Sequence, residues 1–426
     1  MDEIEITKVT VPIRSAFYPA YYRDFRCLAG ACRDDCCSDG WNITFSKKDY
    51  LRLRRLDASP ELREKLERCV RREKKDNHGG AFYARFDLSH SHGRCPLQNG
   101  EGLCSLQLAC GPEALPFVCR SYPRKDYYTT AAREYALSPS CEGVLQQLWD
   151  LPDGVEFVED PLPKEERREA TIPQDGNLLL YFAPLRGLFI DILQDRSMPL
   201  TERMLYLGVV IQRLQKEEWT LGFDPDGWAE RMLSPGSAGA VRELAAGTPG
   251  NRAMYLTQNV NVLSEIALEE RKVWTGEVAR ALEVRREMSL SMQSGTAERE
   301  VMTKTDFSNK AYTEALERFR AAFGDREYFF ENLMVASVLF FGFPKLDSKE
   351  ELWKSYVSLC NLYSFYRFVS VLGCKEEATK ERLFHMIAMA SRSTLHSRDR
   401  LNGFQESLFR HDSSTLAHMA ILLRWD

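Results

Sequence analysis

Four thiols fall within the eleven residues Cys27-Leu-Ala-Gly-Ala-Cys32-Arg-Asp-Asp-Cys36-Cys37, a density that packing alone does not call for. Six more follow before residue 142 (Cys69, Cys95, Cys104, Cys110, Cys119, Cys141), and then none until Cys360 and Cys374. Thiolates are soft donors, and clustered thiols in a reducing compartment point to zinc, an iron-sulfur cluster or redox chemistry. Structural zinc usually takes two cysteine pairs, each separated by two to four residues. Cys27, Cys32 and Cys36 meet that spacing loosely, and Cys95 with Cys104 does not. A larger iron-sulfur cluster gathers four thiolates from separate loops, so it suits the pattern better, with zinc as the alternative. Cys36 and Cys37 are adjacent, and neighbouring side chains on extended backbone point apart. One of the two is therefore expected to face the centre and the other a second site or the core.

The segments that must hold these thiols can be read in outline. Val9–Ile13 has strand composition, and Phe17, Tyr18, Tyr21, Tyr22 and Phe25 carry aromatic rings up to the first cysteine. Trp41–Phe45 and Phe82–Leu88 read as short strands, Ser46–Asp49 as a helix cap, and Pro60 as the start of a charged helix reaching Lys75. From Gly93 to Cys141, glycines and prolines alternate with cysteines, as loops wrapped around a small inorganic centre require. Cys69 and Cys110 stand in helix-like surroundings and read as ordinary buried thiols. His90 and His92 read as solvated loop residues, outside the ligand set.

Residues 151–176 hold four prolines around the charged run Lys164–Glu169 and read as a linker. They separate a cysteine-rich α+β metal-binding module (1–150) from an α-helical bundle region (177–426), with a candidate division into two sub-bundles near 290–307. Helices are expected over Asn177–Gln194, Thr201–Glu218 and Met254 to about Met288. Ser348-Lys-Glu-Glu351 is a capping box, and Leu352, Tyr356, Leu359, Tyr363 and Tyr366 form a core stripe behind it. The expected fold is thus mainly α.

At 426 residues the chain can bury a core without staples, and its formal net charge of −5 provides no basic field for nucleic acid or anionic membrane. The acidic start Met1-Asp-Glu-Ile lacks the basic-then-apolar order of a secretory signal, so a cytoplasmic location is expected. The apolar run Leu333–Phe343 falls short of the ~18–20 residues that span a bilayer and reads as a buried helix. No phosphate-cradling Gly-Lys-Ser/Thr loop is present, and Gly100-Glu-Gly102 lacks a strand-to-helix context.

In combination, Phe25-Arg-Cys27, Cys32, Cys36-Cys37, Trp41, Gly93-Arg-Cys95-Pro-Leu, Gly102-Leu-Cys104, Cys119-Arg-Ser-Tyr-Pro-Arg124 and Ser140-Cys141 resemble the flagellin lysine-N-methylases. These belong to a broader group of cysteine-rich zinc- or iron-chelating domains, and Phe329–Val335 looks like a further family segment. The resemblance implies methyl transfer from S-adenosylmethionine to lysines of flagellin, with an associated 4Fe-4S cluster. Its matching thiols are Cys27, Cys32, Cys36, Cys37, Cys95, Cys104, Cys119 and Cys141, twice the number that one cluster needs. Such a transfer must deprotonate a lysine ammonium, and aromatic walls would favour both the sulfonium donor and the lysine stem. Tyr21, Tyr22, Tyr122, Tyr127 and Tyr128 are candidates for those walls. Tyr122, Arg120 and Glu331 are weak catalytic candidates; Arg120 and Arg124 are candidates for binding cluster sulfurs or the donor carboxylate. The reading from a different class is a non-catalytic metal-binding interaction protein, zinc or iron-sulfur, whose helical part docks a partner.

Overall fold

A computed structural model of the chain describes residues 6–33, 35–37, 43–73, 82–91, 93–173, 177–220, 222–233, 235–247, 312–374, 377–395 and 414–424, with isolated positions between 255 and 262 and at 409. The described chain is mainly helical, with an α+β N-terminal region. It opens with β1 (Ile6–Pro19), the helical turn α1 (Tyr21–Asp24), β2 (Thr44–Phe45), α2 (Lys47–Arg55), α3 (Pro60–Cys69), β3 (Val70–Arg72) and β4 (Ala84–Phe86). Two short helices, α4 (Ser105–Cys110) and α5 (Phe117–Ser121), precede β5 (Arg124–Tyr128), β6 (Arg133–Leu137), α6 (Glu142–Trp149) and β7 (Phe157–Pro173).

Capping chemistry sets the first helices. Ser46 Oγ accepts from Asp49 N at the start of α2, as the sequence implies, and Ser59 does the same for Leu62 N with Pro60 at the first helical position of α3. That helix is shorter than expected. It buries Leu62, Leu66 and Cys69 and then goes extended, because Val70–Arg72 pair with Ala84–Phe86 in a sheet of order β2-β4-β3. The strand expected at Trp41–Phe45 is described only from residue 43 onward.

Residues 157–173, read above as part of a linker, are instead a long strand. It runs antiparallel to β1 from Pro19↔Phe157 to Ile6↔Pro173, with one irregularity between Ile13 and Ser15. Three prolines fit because β7 is an edge strand of the sheet β5-β6-β1-β7, where a missing N–H can face solvent. β1 pairs with β6 in parallel through Ala16↔Arg133 and Phe17↔Glu134. The chain's first strand and the strand leading to the helical region therefore share one sheet.

The helical region comprises α7 (Phe182–Gln194), α8 (Leu200–Leu214), α9 (Pro225–Met232), α10 (Pro235–Gly247), α11 (Glu327–Phe341), α12 (Lys349–Gly373), α13 (Lys380–Leu395) and α14 (Leu416–Leu423), and residues 312–323 are also helical. The apolar run ahead of residue 343 is the buried helix α11, and Leu352, Tyr356, Leu359, Tyr363 and Tyr366 are all buried on α12. Among the described residues no helix is long and apolar enough to cross a membrane. The expected helix at 254–288 and the sub-bundle division near 290–307 lie almost wholly outside the described residues.

Two separate cores result. A small one holds Phe45, Leu53, Leu66, Phe86, Leu97 and Leu106, with Cys69 and Cys95 inside it. The large one joins the helical bundle to Phe25, Leu137, Val144, Leu145 and Leu148, so α6 and the strand before it pack with the helices. Cys37, Cys104, Cys110 and Cys119 pack against the small core, and Cys141 against the large one.

Candidate thiol centre

Two close approaches draw the cysteine loops together. A Cβ on Gly30 would lie 2.7 Å from the Glu101 carbonyl oxygen, so the 27–37 segment touches the 95–104 loop only because residue 30 has no side chain. Gly102 opposite has φ +76°, a left-handed conformation that glycine adopts without penalty. Gly143, on the first turn of α6, lets Phe25 and Leu28 come within 3.3 and 3.4 Å of its Cβ position. The ring is tied further by Cys95 N donating to Cys37 O (2.6 Å) and Cys37 N donating to Asp35 Oδ1 (2.8 Å).

All eight thiols carried by the resemblance are free, and no disulfide joins them. Cys37 is hydrogen-bonded to both Cys36 and Cys95. Holding that proton raises the Cys37 pKa, while Cys36 is lowered and Cys95 is brought down to about 7 by the bond each shares with Cys37. Residues 36–37 form a turn rather than extended backbone, so the two thiols share a hydrogen bond, and of the two Cys37 also packs against the small core.

Cys104 and Cys119 join the same neighbourhood, each electrostatically coupled to Cys36 and Cys95. Burial pushes both upward; for Cys104 the backbone N–H groups of Gln107 and Leu106 at the head of α4 oppose the rise. On the other side, Cys141 caps α6 and is coupled to Cys27 and Cys36, and Cys32 is coupled to Cys141. Burial takes Cys141 up to about 12, against the pull of the Val144 and Gly143 N–H groups. Cys32 Sγ donates to Glu142 Oε2 (3.4 Å), which also accepts from Arg33 N (2.8 Å), and burial followed by that carboxylate raises Cys32.

The remaining thiols stand apart in role. Cys69 and Cys95 both belong to the small core, where the Cys69 thiol turns back to Leu66 O. Cys110 is half-buried and donates to Asp57 O at 3.6 Å. Cys360 and Cys374 are sealed in the helical core. His90 is exposed, and His92 lies outside the described residues.

The weak candidates are placed as follows. Tyr122 is hydrogen-bonded to Ser140 (3.1 Å), its pKa raised by burial and then by Cys141. Arg120 is in an ion pair with exposed Glu113 (2.6 Å). Arg124 donates to Phe25 O (3.2 Å), with its guanidinium 5.0 Å from the Phe25 ring centre and 5.7 Å from that of Tyr22. Glu331, 1% exposed, is held by Arg203 (2.7 Å) and Arg196 (2.9 Å) within the helical core. Tyr127 is tied to Leu339 O and Arg186 and Tyr128 donates to Glu166 Oε2 (2.6 Å); Tyr21 is buried, while Tyr22, Tyr122, Tyr127 and Tyr128 stay partly exposed.

Sequence reasoning missed two charged groups of this neighbourhood. Glu142 follows Cys141 directly and was legible as a carboxylate at a helix start. Arg392, on α13, gave no such signal, being far along the chain from any candidate thiol.

As a donor set, eight free thiols with two helix-capping members suit a soft metal or an iron-sulfur cluster. Among the described residues, no three His, Cys, Asp or Glu side chains converge in metal-holding geometry, so side chains would have to rotate to close on an ion.

The family model of the FliB lysine N-methylase C-terminal domain matches residues 186–422, from within α7 almost to the end of α14. The thiol loops lie ahead of that match. The chain is 28% identical over 192 residues to the Lysine-N-methylase of Salmonella choleraesuis, with 44% of each chain covered, and the same figures hold for the Lysine-N-methylase of Salmonella typhimurium. It is 31% identical over 144 residues to the Flagellar biosynthetic protein FliU of Salmonella muenchen, covering 33% of this chain and 80% of that protein. The match thus spans less than half the length of the two curated lysine methylases. No solved structure matches. With its helical region matched across more than half of the sequence, the chain belongs to the FliB lysine N-methylase family.

Proposed function

We propose that this protein is an S-adenosylmethionine-dependent lysine N-methyltransferase acting on surface lysines of flagellin, with a 4Fe-4S cluster held by thiols of the N-terminal region. The observation that carries the reading is the family match over residues 186–422. Flagellin as substrate is supported by the name of the FliU relative, and the donor and cluster by the resemblance of the cysteine motifs. Cys36, Cys37, Cys95, Cys104 and Cys119 would hold the cluster from one side, with Cys27, Cys32 and Cys141 as the thiols facing them. The cluster, when bound, would supply a centre of defined charge and redox state.

The chain's own residues have other tasks. Transfer needs a neutral lysine amine, which a desolvated site provides by disfavouring the ammonium. Four of the five candidate rings, Tyr22, Tyr122, Tyr127 and Tyr128, stay partly exposed and would receive a lysine stem or a sulfonium by cation–π contact. The test is incubation of anaerobically purified protein with flagellin and S-adenosylmethionine, followed by peptide mass analysis. One-methyl increments on lysines are expected. Absence of any increment from protein carrying its full metal complement would refute the enzyme reading in favour of a metal-binding interaction protein. Zinc and iron-sulfur are separated by visible and paramagnetic resonance spectra of the same sample.

A further inference from the structure

Two arginines converge where the chain turns from α1 into the first thiol loop. Arg26 Nη1 donates to the carbonyl oxygens of Arg23 (3.2 Å) and Phe25 (3.1 Å), and Arg124 Nη2 donates to the same Phe25 oxygen at 3.2 Å. Sharing one acceptor, the two nitrogens are no farther apart than those two bonds laid end to end. Phe25 is 2% exposed, so a buried ring fixes the carbonyl that gathers them. The Arg124 guanidinium also rests against the rings of Phe25 and Tyr22, which holds its fork in place.

Both arginines are exposed, and among the described residues neither has a carboxylate within ion-pair distance. Acids of the surrounding sheet are engaged elsewhere, Asp126 with Arg133 (2.8 Å) and Asp160 with Arg23. One carbonyl dipole does not neutralise two full positive charges, and like charges this close repel. Nε and Nη2 of Arg26 and Nε and Nη1 of Arg124 have no protein acceptor among the described residues, and such planar donors match a carboxylate in pairs. Capping the last carbonyls of α1 would account for Arg26. It does not account for a second cation brought to the same atom from β5, 99 positions along the chain.

We propose that Arg26 and Arg124 form a carboxylate-binding fork that takes the aminoacyl carboxylate of the S-adenosylmethionine methyl donor. This rests on the methyltransferase reading above and gives the donor a place in the N-terminal region. A carboxylate on the fork lies beside Tyr22, whose half-buried ring offers a flat apolar surface to the rest of a small ligand. Arg120, the other candidate for this role, is spent on Glu113.

The test compares S-adenosylmethionine with decarboxylated S-adenosylmethionine, which lacks only the carboxylate, by isothermal titration calorimetry on the full chain with its metal complement. Wild type should bind the carboxylate form tighter by about tenfold or more, the order expected for charge-assisted hydrogen bonds. Arg26→Gln and Arg124→Gln should each reduce that preference, and the double variant should abolish it while binding the decarboxylated ligand as wild type does. A loss shared equally by both ligands would make the arginines structural and overturn the inference. An undiminished preference in the double variant, or a wild type that binds neither ligand, would also overturn it. Failure of the methyltransferase reading shows separately, as the absence of methyl increments on flagellin treated with wild-type protein.

Discussion

Glu331 was a catalytic candidate on sequence grounds, and its surroundings lead to the opposite expectation. Its carboxylate is 1% exposed and takes hydrogen bonds from Arg203 (2.7 Å), itself 3% exposed, and from Arg196 (2.9 Å). Glu331→Gln keeps the shape and removes the charge, leaving the Arg203 guanidinium buried without its counter-ion. Breaking a buried pair from one side costs about 3–5 kcal/mol. Arg196 has a side chain 41% exposed, so solvent screens it, and it adds under about 1 kcal/mol. With a urea dependence of about 3 kcal/mol per molar, the unfolding midpoint of the helical region should fall by about 1 M or more. Arg196→Met should move the midpoint little. The double variant Glu331→Gln with Arg203→Met should recover part of the loss, since the orphaned charge is gone. Far-ultraviolet circular dichroism against urea, run on the full chain, reads all of these. A Glu331→Gln protein as stable as wild type but unable to transfer methyl groups would refute the structural role and return Glu331 to the reaction.

Two further outcomes are expected. Gly208→Ala should destabilise by about 1–3 kcal/mol, because the added methyl meets the Tyr356 hydroxyl and Leu416 Cδ1 where α8 crosses α12 and α14; thermal unfolding measures it, and an unchanged transition would contradict that packing. Cys95→Ser should lower the metal bound per chain by elemental analysis, since its thiol shares a hydrogen bond with that of Cys37, whereas Cys110→Ser, whose thiol donates to the Asp57 carbonyl, should leave it unchanged. Equal loss in both would show that the thiol set has been drawn wrongly.

Much of the helical architecture was legible because it rests on short-range signals. Ser46, Ser59 with Pro60, and Ser348 mark helix starts by side-chain caps that need no distant partner. The stripe from Leu352 to Tyr366 reports its own burial by spacing. The prolines of residues 157–173 misled for the same reason. Read locally they break structure, and only pairing with β1, which lies almost the whole module away in sequence, makes an edge strand of them.

The sequence by itself determined the chemical character of this protein: a run of soft donors too dense for packing, ahead of a long helical region. Residue type and spacing are enough for that, because a thiol is a soft donor in any fold. Tertiary structure alone decided which groups meet. The turn at residues 36–37 faces two adjacent thiols toward each other, and the bare backbones at Gly30 and Gly143 let separate loops touch. The buried Glu331 carboxylate is claimed by arginines, while Arg392 reaches the Ser140 carbonyl from the far end of the chain. Charge and contact act through space, so neither the partner of a buried charge nor the neighbours of a thiol can be read from the order of residues along the chain.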